Sequence, residues 1–196
     1  TSLSTVYFYG YDGQRYTFPN EKTFSSWFTD FSSVETLSDS ALADIDLAGN
    51  AVVRPGTYWI KITSDSKTYA VSTDGSIRWV EDEATAVDFA GSNWASGIID
   101  VPDAFFVDYT TGSSLMSADA FDGMLYMDGG DYYLSLDSEK RLVSSAGMTA
   151  NNYQSMFFLD GSGIDDSALT AGDDITAEVS ALTDPSQLGG EVTESG

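Results

Sequence analysis

The sequence contains no cysteine and no histidine among its 196 residues. Without cysteine, no disulfide stabilises the chain, and the redox compartment in which it works cannot be inferred. Without either residue type, the chain cannot itself supply a Ser-His-Asp triad, a Cys-His dyad, a histidine acid-base catalyst or an ordinary zinc site. Most enzyme classes are excluded in this way, and we expect a protein that is not an enzyme.

Basic residues are also scarce. Eight Lys and Arg face 31 Asp and Glu, and the formal net charge is −23. Such a charge repels nucleic acid and anionic lipid. Salt water screens the repulsion, because the Debye length falls to about 8 Å at 0.15 M salt and further in brine. The balance therefore argues against a nucleic-acid partner and favours an extracellular, cell-surface location.

Long apolar runs are missing as well. No run reaches the roughly 18 residues that a membrane-spanning helix needs, and residues 1–10 lack the basic and apolar regions of a signal peptide. If the protein is secreted, we expect that a leader has already been removed. With 42% hydrophobic and 13% aromatic residues, the chain still has enough apolar material for a core.

An internal repeat is the main organising feature of what is present. Three segments align from a leading tyrosine, and these tyrosines, Tyr7, Tyr69 and Tyr132, lie 69 − 7 = 62 and 132 − 69 = 63 residues apart. Each segment reads as strand, tight turn, strand and short helix, with Asp-Gly turns in the first two and Asp137-Ser138 in the third. Three pairs at helical spacing are expected to fix each helix to its sheet: Thr23 and Trp27, Thr85 and Phe89, and Thr149 and Tyr153.

Further elements follow each hairpin. The blocks 39–49, 102–112 and 165–172 each read as a short capped helix ending near a glycine. More strands are predicted at 58–63 and 124–127, and the alternating stretch 175–182 is predicted to be an extra C-terminal strand.

The predicted fold class is α+β, with three β-hairpin-plus-short-helix repeats of about 62 residues in a pseudo-threefold ring or a linear array. We divide the chain into repeat 1 at 1–56, repeat 2 at 57–120, repeat 3 with its extra strand at 121–182, and an acidic Gly/Ser tail at 183–196. Repeat 1 lacks the strand that precedes the other two hairpins. The C-terminal strand would supply it, either within the chain, closing a ring, or in the next chain, building a filament or lattice.

The blocks beginning VYFYGYDGQRYTFPNEKTFSSWF and WIKITSDSKTYAVSTDGSIRWVEDEATAVDF resemble repeats of extracellular and cell-wall-associated proteins in the candidate phyla radiation (Patescibacteria). The resemblance covers residues 5–112 and is weaker in the third copy, which has lost the glycine after Asp137. It implies a surface location and a scaffold or adhesive role in surface layers, fibres or wall-attached modules. It transfers no activity and no catalytic residue.

Three of the eight basic residues occupy one position of the repeat. Arg15, Arg78 and Arg141 lie 78 − 15 = 63 and 141 − 78 = 63 residues apart. Guanidinium groups form bidentate pairs with carboxylates, so we expect structural arginines that bridge to acids of the same or a neighbouring repeat. Ligand recognition is the alternative.

Two acidic, glycine-rich loops, 128–131 and 160–166, offer the oxygen ligands that a hard cation prefers. In the second loop the candidate ligands are Asp160, Ser162, Asp165 and Asp166. Calcium is the one cofactor that the sequence suggests, and an ordinary Asp/Gly/Ser turn is the alternative. A glycosidase-type carboxylate pair is formally available among 31 acids, but none is singled out, which favours a solvated acidic surface.

Ten aromatic residues offer either a core or a sugar-stacking platform, and their alternation along predicted strands favours the core. They are Tyr58, Trp59, Trp79, Trp94, Phe105, Phe106, Tyr109, Tyr126, Tyr132 and Tyr133. The sequence as a whole predicts a non-catalytic extracellular structural protein, a subunit of a cell-surface layer (S-layer) or fibre that assembles with copies of itself, strand addition being one route. The alternative is a glycan- or cell-wall-binding module.

Overall fold

The computed structural model describes residues 5–179 and 182–188, and within them the chain is a mixed α+β fold with three β-sheets and five α-helices. The strands are β1 Tyr7–Tyr9, β2 Arg15–Thr17, β3 Leu47–Asn50, β4 Trp59–Ile62, β5 Thr68–Val71, β6 Ser76–Val80, β7 Ile98–Val101, β8 Thr110–Thr111, β9 Leu125–Asp128, β10 Asp131–Leu136, β11 Glu139–Leu142, β12 Leu159–Asp160 and β13 Thr170–Ala171. The helices are α1 Glu21–Trp27, α2 Asp39–Ala43, α3 Glu83–Ala90, α4 Asp103–Phe106 and α5 Ser145–Ala150.

The second and third sheets have the same strand order, β7-β4-β5-β6-β8 and β12-β9-β10-β11-β13. In each, an antiparallel hairpin is flanked by the antiparallel strand that precedes it, and a parallel strand lies at either edge. The first sheet contains β1-β2-β3 alone. In the described part of the chain, β1 therefore has no neighbouring strand on its outer side.

The three predicted hairpins are present, and their turns differ. Gly13 and Gly75 have φ values of 80° and 74°, in the left-handed region that favours glycine. In the third hairpin both turn residues, Asp137 and Ser138, have positive φ, 56° and 62°, as in a type I′ turn. The missing glycine is thus replaced by two strained non-glycine residues.

A short helix with a polar N-cap follows each of the three hairpins. Each helix after a hairpin starts at a side chain that accepts a backbone N–H: Asn20 for α1, Asp82 for α3 and Ser144 for α5. Trp27 and Phe89 lie within α1 and α3 and are 2% and 0% exposed, as predicted. Tyr153 is 6% exposed, but the prediction of a helical pair with Thr149 is wrong, because α5 ends at Ala150.

A short helix is present in two of the three blocks that follow, although α4 has no side-chain cap. Helices α2 and α4 lie within 39–49 and 102–112, and a parallel strand follows each. The prediction is wrong for 165–172, which contains no α-helix. There the N–H of Leu169 donates to the carbonyl of Asp166 in one turn that leads directly into β13.

The predicted C-terminal strand at 175–182 is also wrong for the residues that the structure describes; 180–181 lie outside them. Ile175 forms only an isolated bridge. Beyond it, the side-chain carbonyl of Asn151 accepts the N–H of Val179 at 2.8 Å. A side chain thus takes the place of a neighbouring strand, and the segment is held by its own chain.

Residues 183–188, which the sequence assigns to the tail, return to the first sheet. Leu188 packs against the apolar cluster of that sheet. A Cβ atom built on Gly10, in the first hairpin turn, would lie 3.0 Å from the Cβ of Ser186. The rest of the predicted tail, 189–196, lies outside the described residues.

The core is divided unequally among the sheets. One cluster joins the second and third sheets and includes Trp59, Phe89, Phe121, Met124 and Tyr126. Two further clusters cover other faces of these sheets. The cluster of the first sheet has the fewest buried members: Phe18, Phe24, Trp27 and Ala51.

Candidate functional site

Strand β1 forms an edge of the first sheet that no other strand of the described residues pairs with. The N–H of Phe18 donates to the carbonyl of Val6 across the hairpin. Because antiparallel hydrogen bonds alternate along a strand, the backbone groups of Tyr7 and Tyr9 point away from β2. Residues 5–10, TVYFYG, carry no charged side chain. Within residues 5–179 and 182–188, these backbone donors and acceptors have no strand partner, and the side chains around them are uncharged and largely aromatic.

Edges of the other two sheets are protected in ways that β1 is not. Strands β8, β12 and β13 are only two residues long. Strand β7 carries Asp100, which forms an ion pair with Lys61 at 3.4 Å. Short length and charge are two devices by which proteins prevent edge-to-edge association. Strand β1 has no charge.

Exposed apolar side chains are concentrated in the first sheet and its connections. Residues 29–41, between α1 and the end of α2, are all exposed. Six of the ten exposed large apolar side chains in the described part of the chain belong to the first sheet and its connections: Tyr9, Tyr11, Phe31, Val34, Leu37 and Leu47. The ten aromatic residues that the sequence singled out are all buried or half-buried instead, as the core interpretation requires.

Two of the repeat arginines bind backbone rather than carboxylates. Arg15 donates to the carbonyls of Leu42 and Ile45, just before β3. Arg78 donates from Nε to the carbonyl of Ser113 at 2.9 Å, just after β8. Both guanidinium groups thus hold the segment that runs beside the second hairpin strand.

Arg141 has the acidic partners that the sequence predicts. Its Nη2 lies 2.8 Å from a carboxylate oxygen of Glu139 and 3.5 Å from one of Asp137. Among the three arginines, therefore, only Arg141 has carboxylate partners, and these lie in its own hairpin.

The candidate calcium ligands at 160–166 form local turns. Asp160 accepts the N–H of Ser162 at 3.2 Å, and Asp165 accepts the N–H of Ser167 at 3.0 Å. Such Asx turns are the alternative considered for this loop. The serine hydrogen bond also lowers the pKa of Asp165.

Asp166 is occupied by a neighbouring strand. Its carboxylate lies 2.6 Å from Nζ of Lys140 and accepts the hydroxyl of Tyr126 at 3.0 Å. Lys140 also binds Asp128, of the other acidic loop, at 2.7 Å. The hydrogen bond from Lys140 lowers the pKa of Asp166. Within residues 5–179 and 182–188, no three acidic side chains are grouped as metal ligands, and calcium binding stays a prediction.

Arg54, which no sequence motif marks, is only 1% exposed. Its Nη1 donates to the carbonyl of Asn151 at 2.6 Å. The guanidinium carbon lies 4.5 Å from the ring centroid of Tyr153 and 5.5 Å from that of Trp27. Burial lowers the pKa of the guanidinium. Arg54 thus connects α1 in the first part of the chain with the end of α5 in the last.

A cleft of about 200 Å³ lies at the open end of the β5–β6 hairpin. Lys67, Trp79, Glu81, Glu83 and Trp94 are among its lining residues. Nζ of Lys67 lies 4.5 Å from the ring centroid of Trp79. The chain's own cation therefore covers one face of that indole.

No family model, no curated protein and no solved structure matches this chain. The resemblance to wall-associated repeats accordingly stays a prediction. In the part of the chain that the structure describes, no helix combines the length and apolarity needed to cross a membrane.

Proposed function

We propose that this protein is a non-catalytic structural subunit of an extracellular layer or fibre, built from three repeats of about 62 residues and assembled through the open edge of β1. The observation that carries the proposal is the incomplete first sheet. A sheet with an unprotected, uncharged edge is suited to pairing with another chain.

The repeat explains what the first sheet lacks. When the first repeat is aligned with the second at an offset of 63 residues, β2 aligns with β6 and β3 aligns with β8. The place of β7 falls on 35–38, which form no strand. Strand β7 is an edge strand that pairs with β4 alone. The first sheet has no counterpart of β4 among the described residues, so the segment 35–38 has no strand to pair with. Contacts of Arg54 and Leu188 between the ends of the chain favour the closed, pseudo-threefold arrangement over a linear array.

We assign the open edge to β1 of a second copy. Strands β4 and β9 are antiparallel to the hairpin strands that they flank, and two β1 strands related by a twofold axis also pair antiparallel. Residues 5–10 contain no carboxylate, so pairing of two β1 strands brings no acidic side chains of this segment together, although each chain has a net charge of −23. Donation of 175–182 is a poorer route, since Asn151 holds that segment in its own chain.

A twofold contact closes after two copies, so a layer or fibre needs a second contact surface. Exposed apolar side chains outside the first sheet are available for it. The four are Val107, Met116, Met156 and Val87, which are 81%, 74%, 66% and 38% exposed.

The test is the mass of the protein in solution, measured by light scattering from about 0.05 M to about 1 M NaCl. We expect association that strengthens with salt, because screening reduces the repulsion between acidic copies. Tyr9→Lys places two like charges at the paired edge and should weaken association about tenfold or more. Tyr11→Lys is the matched control, because it makes the same change outside the strand, at a residue that is 88% exposed. A strict monomer at every salt concentration overturns the proposal.

The alternative, a glycan- or cell-wall-binding module, has less support. A sugar ring stacks on a free aromatic face, and Lys67 covers a face of Trp79 in the cleft. The three exposed aromatic side chains of the described residues, Tyr9, Tyr11 and Phe31, belong to the incomplete first sheet and its connections.

A further inference from the structure

Arg54 carries a positive charge that no carboxylate of the described residues balances. Its side chain is almost completely buried, and none of the ion pairs in this part of the chain includes it. Its neighbours are the rings of Trp27 and Tyr153. This is unexpected in a chain with 31 acidic residues.

Most hydrogen-bonding groups of Arg54 are satisfied. Its backbone N–H donates to Oγ of Ser26 at 3.0 Å, its carbonyl accepts from Oγ1 of Thr57 at 2.6 Å, and Nη1 donates to Asn151. Two guanidinium nitrogens, Nε and Nη2, have no partner in hydrogen-bonding geometry. The buried hydroxyl of Tyr153 interacts with the guanidinium: burial raises the pKa of Tyr153, and Arg54 lowers it by a smaller amount. A phenol hydroxyl carries no negative charge, so the charge of Arg54 is still not balanced.

Such an arrangement is unfavourable unless something fills it. Arginine does not lose its proton in proteins, so the charge stays when the side chain is buried. A buried charge without a partner is strongly destabilising, and so is each buried donor without an acceptor. A water molecule would accept the hydrogen bonds, but only an anion also balances the charge.

We infer that Arg54 and Tyr153 bind a small inorganic monovalent anion of the size of chloride. The residue is 1% exposed, which restricts the ligand to a small ion. Trp27 belongs to the first repeat, Arg54 follows it in the connection to the second, and Asn151 and Tyr153 belong to the third. The anion therefore stabilises the closed arrangement of the three repeats, independently of any contact between copies.

Urea unfolding at constant sodium concentration tests this inference, with chloride replaced stepwise by gluconate, a bulky organic anion. Guanidinium chloride is avoided because it supplies the ion. Ionic strength is constant, so screening of the acidic surface does not change. Above the dissociation constant, each tenfold rise in chloride should raise the folding equilibrium constant about tenfold.

Arg54→Met should abolish this chloride dependence. Arg78→Met is the matched control, because it removes the same charge from an arginine that binds only Ser113 by hydrogen bonds, and it should keep the full response. Equal responses in both variants overturn the inference.

A second measurement does not depend on the folding of Arg54→Met. Wild-type crystals soaked in sodium bromide should show an anomalous peak within hydrogen-bonding distance of Nε or Nη2 of Arg54. A water molecule at that position, with no anomalous signal, overturns the inference.

Discussion

The second sheet has the strands β4 and β7 at one edge, and the first sheet has no counterpart of either among the described residues. The comparison shows what a parallel edge strand needs in order to form. In the second sheet, Ile60 of β4 and Ile99 of β7 are 0% and 1% exposed. In the first sheet no described strand pairs with β1, and the segment in the place of β7 lies within the exposed residues 29–41. A parallel edge strand such as β7 therefore depends on its neighbour more than on its own propensity.

Removing the neighbour in the second sheet should make it resemble the first. Ile60→Ala deletes a fully buried side chain of β4 and should lower the free energy of unfolding by about 3 kcal/mol, through lost burial and a residual cavity. Amides of β7 should lose hydrogen-exchange protection before those of β6. Urea unfolding and native-state exchange measure the two effects, and unchanged protection of β7 would contradict its dependence on β4.

The third sheet has an ionic cluster, Lys140 with Asp128 and Asp166, that the first sheet lacks. Hydrogen bonding to Lys140 lowers the pKa of Asp166 below its ordinary 3.8, so the unfolded state takes up a proton first. The stabilisation is present at neutral pH and is lost as the pH falls from about 4 toward the folded pKa. Asp166→Asn should cost about 1 kcal/mol at pH 7, and less in acid. Urea unfolding from pH 7 to pH 3 checks this, and a constant difference would be inconsistent with it.

The third hairpin turn differs from the first two by its non-glycine residues at positive φ. Ser138→Gly relieves a left-handed backbone conformation, with φ of 62°, and should raise the free energy of unfolding by about 0.5–1 kcal/mol. The reverse exchange in the first turn, Gly13→Ser, should lower it by a similar amount. Thermal or urea unfolding measures both changes. A loss of stability in Ser138→Gly would show that the positive φ of Ser138 does not destabilise the turn.

The smallest effect is expected in the exposed segment of the first sheet. Leu37 is 51% exposed, and Leu37→Ala should change the free energy of unfolding by less than about 0.5 kcal/mol. A cost near that of Ile60→Ala, measured in the same urea experiment, would mean that 29–41 is covered in solution.

Local signals made much of the fold predictable. Asp-Gly turns and polar caps act within a few residues, so the hairpins and the starts of α1, α3 and α5 follow from the sequence. Strand β7 and the course of 175–182 did not follow, because alternation does not reveal whether a strand has a neighbour. In the described part of 175–182, the side chain of Asn151 takes the place of a neighbouring strand. At 35–38, in the place of β7, no described strand takes the place of β4.

The candidate site residues also differ in whether a local sequence pattern reveals them. The repeat arginines and the loop at 160–166 are visible as patterns, although the partners of Arg15 are carbonyls rather than acids. Arg54 stands in VVRPG, a stretch without a motif. Its burial arises from contacts with Asn151 and Tyr153, about a hundred residues away in sequence.

The contact of Leu188 with the first sheet also bears on the order in which the protein folds. Leu188 and Phe8 belong to one cluster although they are 188 − 8 = 180 residues apart. A contact of that separation has a high loop-closure cost and forms slowly. During synthesis Phe8 leaves the ribosome well before Leu188, so the core of the first sheet is completed only after Leu188 has been made. The first hairpin therefore forms before the packing that completes its sheet.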